Sequence, residues 1–441
     1  MNRIVLIGNG FDIAHKLDTR YTDFMNNYWK NFASKIANDI FTPYEDEFAT
    51  FERISGPESL HKAYNATTFG IDNENGYVYQ NVFGRGIIPD FHKALVMVDS
   101  YNAFKLSIAN VNKASDLQFS LSFKNKFFRD ISEQTCLKTW LDIENEYYKQ
   151  LKDISLINNI MSPAKELNDE FGQVKNHLNK YLTGVCEQGV GKNESIEKAL
   201  NSLIQLNDVA ISGQELFLDF ILWEMSELRA DEIEEEMRIY PEYSLMNTKK
   251  EAYREMIKDK LSKGELDNYL FPNRTLLLNF NYTNTAEKLY AKSANREACE
   301  LINIHGELNN TDNPIIFGYG DEMDEDYKKI VNLNDNDYLQ NIKSIRYLET
   351  DNYRNLLTFI NSAPYQIYIM GHSCGNSDRT LLNTLFEHKN CVSIKPFYHQ
   401  IDEMKDNYID IVQNISRNFK DAALMRDRVV NKTYCEPLVG K

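Results

Sequence analysis

The feature that most constrains this fold is a short apolar run near the start of the chain, IVLI at residues 4–7, which leads directly into Gly8-Asn9-Gly10. A continuous apolar run of this kind is typical of a strand buried on both faces of a parallel sheet. The residues after the glycines have helical character, so the opening predicts a strand, a glycine turn and a helix. An isolated strand cannot satisfy its backbone groups, and therefore other parts of the chain must supply neighbouring strands.

The other strand-like runs lie far along the chain from the first. Each is short and rich in Ile, Leu, Val, Tyr or Phe; they are residues 275–280, 300–304, 314–317, 366–370 and 392–397. Together with residues 3–7 they predict an α/β fold with a Rossmann-like, mainly parallel sheet. Because a long stretch of chain separates the first run from the rest, we expect the two parts to meet in space.

The intervening region predicts a large helical insertion. Apolar residues recur there at three- and four-residue spacing, the pattern of amphipathic helices. The segments with this pattern are residues 165–183, 195–206, 214–229 and 248–263. We expect three parts: a composite nucleotide-binding domain from residues 1–20 and 270–400, a mainly helical insertion over residues 21–269, and a C-terminal helical segment over residues 401–441.

Charge and apolar content exclude several classes of function. The formal net charge is -16 and no basic stripe is present, so nucleic acid is not an expected partner. The first apolar run is too short for an export signal, and the apolar stretch at residues 216–225 is too short to cross a bilayer. We expect a soluble, cytoplasmic protein without membrane contact. None of the six cysteines lies within four residues of another, so no zinc knuckle and no metal site is expected.

The first turn is a candidate nucleotide contact. Gly8 and Gly10 let the main chain turn and let a phosphate approach backbone N–H groups, and Asn9 and Phe11 complete the turn. Asp12 follows them. Its carboxylate can hold a ribose hydroxyl or orient a catalytic group, and the alternative is that it caps the helix that begins here.

Further candidate residues follow two of the apolar runs. In LLLNFNYTNT, Asn281 and Tyr282 come after the run, and the carboxyl ends of such strands are where α/β sheets bind ligands. Asn281 can hold ribose hydroxyls or a water molecule, although an Asn-rich turn that caps the next helix has the same pattern. In INIHGEL, His305 precedes Gly306. This histidine can act as a general base near neutral pH, or it can be a core histidine bonded to a carbonyl.

The stretch GHSCGNSD, after the run at residues 366–370, has two interpretations. Its first five residues match G-x-S-x-G, the nucleophile elbow of α/β-hydrolases, which makes Ser373 an alternative nucleophile. The next helix is expected to begin only after Asp378, later than an elbow requires. The other interpretation is a nucleotide-binding loop in which Gly371, His372, Ser373 and Asp378 contact ribose or phosphate.

The order of these motifs resembles the AbiH family of bacterial abortive-infection proteins, since GNGFD, WLDIE, NFNYT, IHGEL and GHSCGNSD occur in that order. That family is similar to a divergent branch of the sirtuin-like NAD-binding fold. The resemblance implies that Asn281 and His305 carry NAD cleavage, with a phosphate turn at Gly8 and a ribose loop at Gly371. Thr283 stands where the sirtuin-like pattern has Asp. The zinc module of sirtuin deacylases has no paired cysteines to hold it here, so protein deacylation is not expected.

The resemblance implies a defence enzyme that breaks the nicotinamide–ribose bond of NAD, with NAD as substrate and no other cofactor required. Asn281 would fix the ribose and an attacking water, and neutral His305 would assist deprotonation. Unrestrained NAD hydrolysis would poison the host. We therefore expect the helical insertion to gate the site or to mediate homo-oligomerisation, with release by a phage-derived trigger or a partner defence protein. The alternative is a module that binds NAD or a related nucleotide without turnover.

Overall fold

The structure is a computed structural model. The residues that it describes are 1–55, 87–114, 117–134, 140–156, 163–239, 249–291 and 299–440. The chain forms two compact units, one from Met1–Asp18 and Leu182–Lys441 and the other from Thr19–Tyr181. The domain limits proposed from the sequence, near residues 20, 270 and 400, stay predictions.

The described chain contains eight strands, which form two separate sheets. The strands are β1 (Asn2–Ile7), β2 (Tyr44–Glu45), β3 (Ala49–Ser55), β4 (Gln118–Phe123), β5 (Thr275–Asn279), β6 (Cys299–Asn303), β7 (Tyr365–Met370) and β8 (Cys391–Phe397). Five of them form a sheet in the larger unit with the order β6-β5-β1-β7-β8, and every pairing in it is parallel. The predicted Rossmann-like, parallel α/β fold is confirmed.

β1 is the central strand of this sheet, with β5 on one side and β7 on the other. In the register of the sheet, Leu6 lies beside Leu278 and Ile369. Successive strands run outward from β1 first through β5 and β6, and then in the opposite direction through β7 and β8. In doubly wound sheets the crevice for a ligand lies at the carboxyl ends of the strands where the order reverses. Here that point is between β1 and β7.

The continuous apolar character of β1 follows from burial on both faces. Ile4 and Leu6 belong to one hydrophobic cluster, and Val5 and Ile7 belong to another. Because side chains alternate across a strand, the two clusters lie on opposite faces of the sheet. Neighbouring strands divide their side chains between the same two clusters, which explains why they also read as unbroken apolar runs.

The described residues also form sixteen α-helices. They are α1 (Asn9–Ala14), α2 (Tyr21–Asn38), α3 (Ile87–Val96), α4 (Tyr101–Ala114), α5 (Lys126–Glu133), α6 (Trp140–Ser155), α7 (Pro163–Cys186), α8 (Glu194–Leu200), α9 (Ile211–Ile239), α10 (Lys249–Ser262), α11 (Glu325–Val331), α12 (Lys343–Arg346), α13 (Asn352–Ser362), α14 (Arg379–Phe386), α15 (Tyr408–Arg417) and α16 (Ala422–Arg428). A π-helical turn spans Glu287–Ala291. The predicted helices over 165–183, 214–229 and 248–263 are confirmed, whereas the predicted helix over 195–206 is shorter and ends at Leu200.

The strand predicted at residues 314–317 is wrong, because this segment belongs to neither sheet. Pro314 has no N–H group to donate to a ladder. The segment lies against the loop after β6 instead: the Ile316 N–H donates to the His305 carbonyl oxygen at 2.8 Å. It therefore packs beside a candidate site residue rather than extending the sheet.

The smaller unit contains an antiparallel sheet that the sequence analysis missed. β3 pairs with both β2 and β4, with Phe51 opposite Tyr44 and Leu121. In β3, Ala49 and Phe51 are buried whereas Glu52 is exposed, so this strand is covered on one face only. Such a strand alternates apolar and polar residues, and it lacks the continuous apolar run that is typical of a strand buried on both faces.

None of the helices in the described ranges combines the length and the apolar content that a membrane span requires.

Candidate functional site

The loops after β1 and β7 lie in direct backbone contact. A Cβ atom at Gly8 would lie 2.5 Å from the His372 Cα atom, and one at Gly10 would lie 2.8 Å from the Gly371 Cα atom. Gly371 has a φ of +76°, and a Cβ atom there would lie 2.1 Å from the Phe11 nitrogen. Three glycines are therefore required for the two loops to approach each other at the point where the strand order reverses.

Backbone N–H groups of the first turn donate hydrogen bonds to other backbone groups of the protein. The Gly8 N–H donates to the Met370 carbonyl oxygen at 3.3 Å, the Gly10 N–H donates to Gly371 at 2.9 Å, and the Phe11 N–H donates to Gly8 at 2.8 Å. The glycines of this turn are thus explained by packing against the loop after β7. A phosphate contact at the turn stays a prediction, and it would have to compete with these hydrogen bonds.

Asn281 joins the loop after β5 to the first turn. Its Nδ2 atom donates to the Gly8 carbonyl oxygen at 2.9 Å, and its backbone N–H donates to the Asn279 side chain at 3.1 Å. The next residue, Tyr282, donates its hydroxyl to the Ile316 carbonyl oxygen at 3.2 Å. The structure therefore places Asn281 at the carboxyl edge of the sheet, as predicted, next to Gly8.

Phe280 links Asn281 to the two histidines of the predicted site. Its ring centroid lies 5.1 Å from that of His305 and 4.1 Å from that of His372. The sequence analysis did not select Phe280, because a buried aromatic residue after a strand carries no chemical signal of its own. The loops after β1, β5, β6 and β7 are thus brought together at one edge.

His305 is buried, with 4% of its surface exposed, and its Nε2 atom lies 3.1 Å from Asp378 Oδ1 and 3.2 Å from the Tyr347 hydroxyl. The pKa of His305 is lowered to about 4, chiefly by burial and also by the nearby Lys343 ammonium, while Asp378 acts in the opposite direction. The imidazole is therefore neutral at physiological pH. Gly306 has a φ of +83°, and a Cβ atom there would lie 2.1 Å from the Pro314 carbonyl oxygen, so the turn after His305 requires glycine.

Asp378 lies at the centre of a buried polar cluster. Its Oδ1 atom contacts Lys343 Nζ at 2.9 Å as well as His305, and its Oδ2 atom lies 3.6 Å from His372 Nε2. Burial alone would raise the pKa of Asp378, but the Lys343 ammonium and the two imidazoles hold it well below its usual range. Asp378 is thus a carboxylate whose two oxygens both face protein side chains. Whether it also contacts a ribose stays a prediction.

The contacts assign the proton on each imidazole. The Cys374 N–H donates to His372 Nδ1 at 3.0 Å, so that nitrogen carries a lone pair and His372 Nε2 carries the proton. His305 faces the Asp378 carboxylate with Nε2, which makes that nitrogen the donor. His305 Nδ1 consequently carries the lone pair, and it accepts no hydrogen bond from a described residue.

Asp12 lies on the other side of the first turn. It is buried, and its Oδ2 atom accepts a hydrogen bond from the Thr283 hydroxyl at 2.7 Å. Burial raises the pKa of Asp12 to about 6, although neighbouring hydroxyl and amide groups lower it. Thr283, which stands where the sirtuin-like pattern has Asp, therefore supplies a neutral donor to the carboxyl group of Asp12.

Ser373 lacks the surroundings of a nucleophile elbow. Its side chain is exposed and its hydroxyl makes no hydrogen bond to a described residue; its carbonyl oxygen accepts from Asn414 Nδ2 at 2.8 Å. The residues with positive φ in this loop are Gly371, at +76°, and Cys374, at +53°, and not the serine. α14 begins at Arg379, after Asp378, as predicted.

Lys343 is the charged member of the cluster that the sequence analysis missed. Its exposed fraction is 1%, and it begins the short helix α12 in a polar region with no surrounding motif. Tyr347, one turn further along the chain, was missed for the same reason. Only the fold brings Lys343 to Asp378 and Tyr347 to His305, so no pattern in the sequence could have selected them.

No three His, Cys, Asp or Glu side chains in the described ranges are placed to hold a metal ion together. At Asp378 the position that a cation would take is occupied by the Lys343 ammonium. A cleft of about 410 Å³ in the same unit is lined by residues that include Leu17, Thr285 and Lys288. Thr285 contacts Thr283 at 3.4 Å, so the cleft adjoins the Asp12 side of the strand ends.

These features define a Rossmann-like α/β protein in which the loops after four parallel strands converge on a buried histidine–carboxylate–lysine cluster. The chain belongs to the AbiH family: the family model described as bacteriophage abortive infection AbiH matches residues 4–399. Membership implies a role in abortive infection by bacteriophage. No curated protein and no solved structure matches the chain.

Proposed function

We propose that this protein is an abortive-infection effector that cleaves the nicotinamide–ribose bond of NAD, with Asn281 and His305 as catalytic residues and no further cofactor. The family gives the role in abortive infection. The proposal adds NAD cleavage, because GNGFD, NFNYT and IHGEL resemble the sirtuin-like NAD-binding pattern. It takes the site of action to be the edge where the loops after β1, β5, β6 and β7 meet.

The observation that carries the proposal is the state of His305. The ring is neutral because burial lowers its pKa to about 4, and its Nε2 atom is held by Asp378 and Tyr347. Its Nδ1 atom keeps a lone pair. A general base must be unprotonated and fixed in direction before the substrate arrives, and His305 meets both conditions.

Cleavage of the nicotinamide–ribose bond requires little general-acid catalysis from the protein. Nicotinamide leaves from a cationic ring, and the transition state resembles an oxocarbenium ion at the ribose. Asn281 would hold the ribose and the attacking water through its amide, which brings no charge. His305 would accept a proton from a ribose hydroxyl or from the water through Nδ1. A positioned base of this kind contributes about 10²–10⁴-fold to the rate.

The experiment is incubation of the full chain with NAD, followed by chromatography for free nicotinamide. We expect His305→Ala and Asn281→Ala to reduce nicotinamide release about 10²–10⁴-fold while the protein remains folded. His399→Ala is the matched control, since His399 is exposed and lies outside the cluster. Wild-type turnover in both site variants would refute the assignment.

A module that binds NAD or a related nucleotide without turnover is the second candidate. Crowding of the site favours it, because His305 is buried and turnover requires its Nδ1 atom to reach the substrate. In that case NAD would raise the melting temperature without release of nicotinamide. A Ser373 hydrolase is a weaker candidate, and labelling of Ser373 by a fluorophosphonate probe would reveal it.

The same crowding supports restraint of the activity in the absence of infection. We propose that the protein acts in the cytoplasm and that the helical region gates the site or mediates homo-oligomerisation, with a phage-derived trigger or a partner defence protein that releases it. Such a mechanism predicts slow NAD turnover by the purified protein alone. Full-rate turnover without any trigger or assembly would contradict it.

A further inference from the structure

The cluster around Asp378 contains a lysine that the proposed reaction does not use directly. Lys343 is buried, and a buried ammonium group is costly unless it is paired. Its Nζ atom lies 2.9 Å from Asp378 Oδ1 and 3.4 Å from the Ser377 hydroxyl. The same Asp378 oxygen contacts His305 Nε2. Lysine and histidine thus lie on one carboxylate oxygen.

The loops around Lys343 pack closely against one another. The Lys343 N–H donates to the Tyr319 carbonyl oxygen at 2.9 Å. A Cβ atom at Gly318 would lie 2.0 Å from the Asn341 carbonyl oxygen, and one at Gly320 would lie 2.8 Å from the Ser377 carbonyl oxygen. Two glycines therefore let the segment at residues 318–320 lie close both to the residues before α12 and to the loop that carries Asp378.

We propose that Lys343 is a positioning residue for His305: its ammonium group holds the Asp378 carboxylate in place, and Asp378 in turn directs the Nδ1 lone pair of His305 toward the ligand. The inference rests on the proposed function in so far as the ligand is NAD. Lys343 does not touch the substrate in this arrangement.

The charges around His305 decide the direction of the expected effect. Asp378, Lys343, His372 and the Tyr347 hydroxyl face its ring. The Lys343 ammonium opposes protonation of the imidazole, whereas the Asp378 carboxylate favours it. Removal of the ammonium group takes away one of the effects that oppose protonation, and burial then remains as the main one. The pKa of His305 then rises, and the base is lost at a higher pH than in the wild type.

The test compares Lys343→Met with Lys395→Met. Lys395 is a matched control because it is also buried, lies 2.9 Å from the Asp208 carboxylate and is outside the cluster. Both changes destabilise the fold, since each leaves a buried carboxylate without its cation. Only Lys343→Met is expected to shift the acidic limb of kcat/KM for nicotinamide release upward, by about one pH unit or more. Equal limbs in the two variants would overturn the proposal.

A second measurement is made on the wild-type protein and depends neither on NAD turnover nor on the folding of Lys343→Met. Nitrogen NMR of histidine-labelled wild-type protein, with His305→Gln to assign the resonance, reports which ring nitrogen carries the proton. We expect His305 to be protonated at Nε2 and to stay neutral below pH 6. Protonation at Nδ1, or titration near pH 6.5, would overturn the role of Lys343. Absence of nicotinamide release with the expected resonance would refute the proposed function alone.

Discussion

Replacement of Gly371 by alanine tests whether the contact between the loops after β1 and β7 holds the site together. The φ of Gly371 is +76°, a conformation in which an L-residue is strained by about 1–2 kcal/mol. The added Cβ atom would also lie 2.1 Å from the Phe11 nitrogen and 2.5 Å from the Gly10 carbonyl carbon. Both neighbours are backbone atoms, so neither can move aside by a change of rotamer.

The two effects set the expected magnitude. Overpacking of a tight site costs about 1–3 kcal/mol, so strain and crowding together amount to about 2–5 kcal/mol. That is a large part of the roughly 5–15 kcal/mol by which a folded protein is usually stable. For a unit of this size, each kcal/mol lowers the melting temperature by about 2–4 °C. We expect a decrease of about 4–20 °C.

Thermal unfolding of Gly371→Ala and Gly184→Ala gives the comparison. Gly184 lies in α7, is exposed, and has no atom within 4 Å of an added Cβ. Alanine there should raise stability by about 0.5–1 kcal/mol through helix propensity. If Gly371→Ala melts at the wild-type temperature, the close approach of the two loops is not what requires glycine, and the architecture of the site is misjudged.

Two further predictions concern buried carboxyl groups. Burial raises the pKa of Asp12 from 3.8 to about 6. Between about pH 4 and pH 6 the folded protein therefore retains a proton that the unfolded chain releases. Because of this group, the free energy of unfolding decreases as the pH rises through that range. Relative to Asp12→Asn, the wild type should lose stability over that range in urea unfolding; parallel curves would contradict it. Asp208→Ala leaves the Lys395 ammonium buried without its partner, and it should lower the free energy of unfolding by about 3–5 kcal/mol in the same assay. An unchanged free energy of unfolding would show that the pair does not stabilise the fold.

Much of the sheet could be predicted from local pattern. The runs that begin near residues 3, 275, 300, 366 and 392 are strands, because a strand buried on both faces needs apolar residues at every position. The run at 314–317 has the same composition but contains a proline and lies beside His305, so composition alone was misleading there. The strands of the antiparallel sheet were missed, since burial on one face leaves only a weak alternation.

The sequence by itself determined the elements and the polar residues at their ends: the glycine turn at Gly8, Asn281, and His305 before Gly306. The tertiary structure alone decided the strand order and the partners of these residues. Lys343 reaches Asp378, and Asp378 reaches His305, only because three separate loops meet at one edge of the sheet. A buried ion pair depends on distance in space and on exclusion of water, and neither is encoded in the residues that flank it.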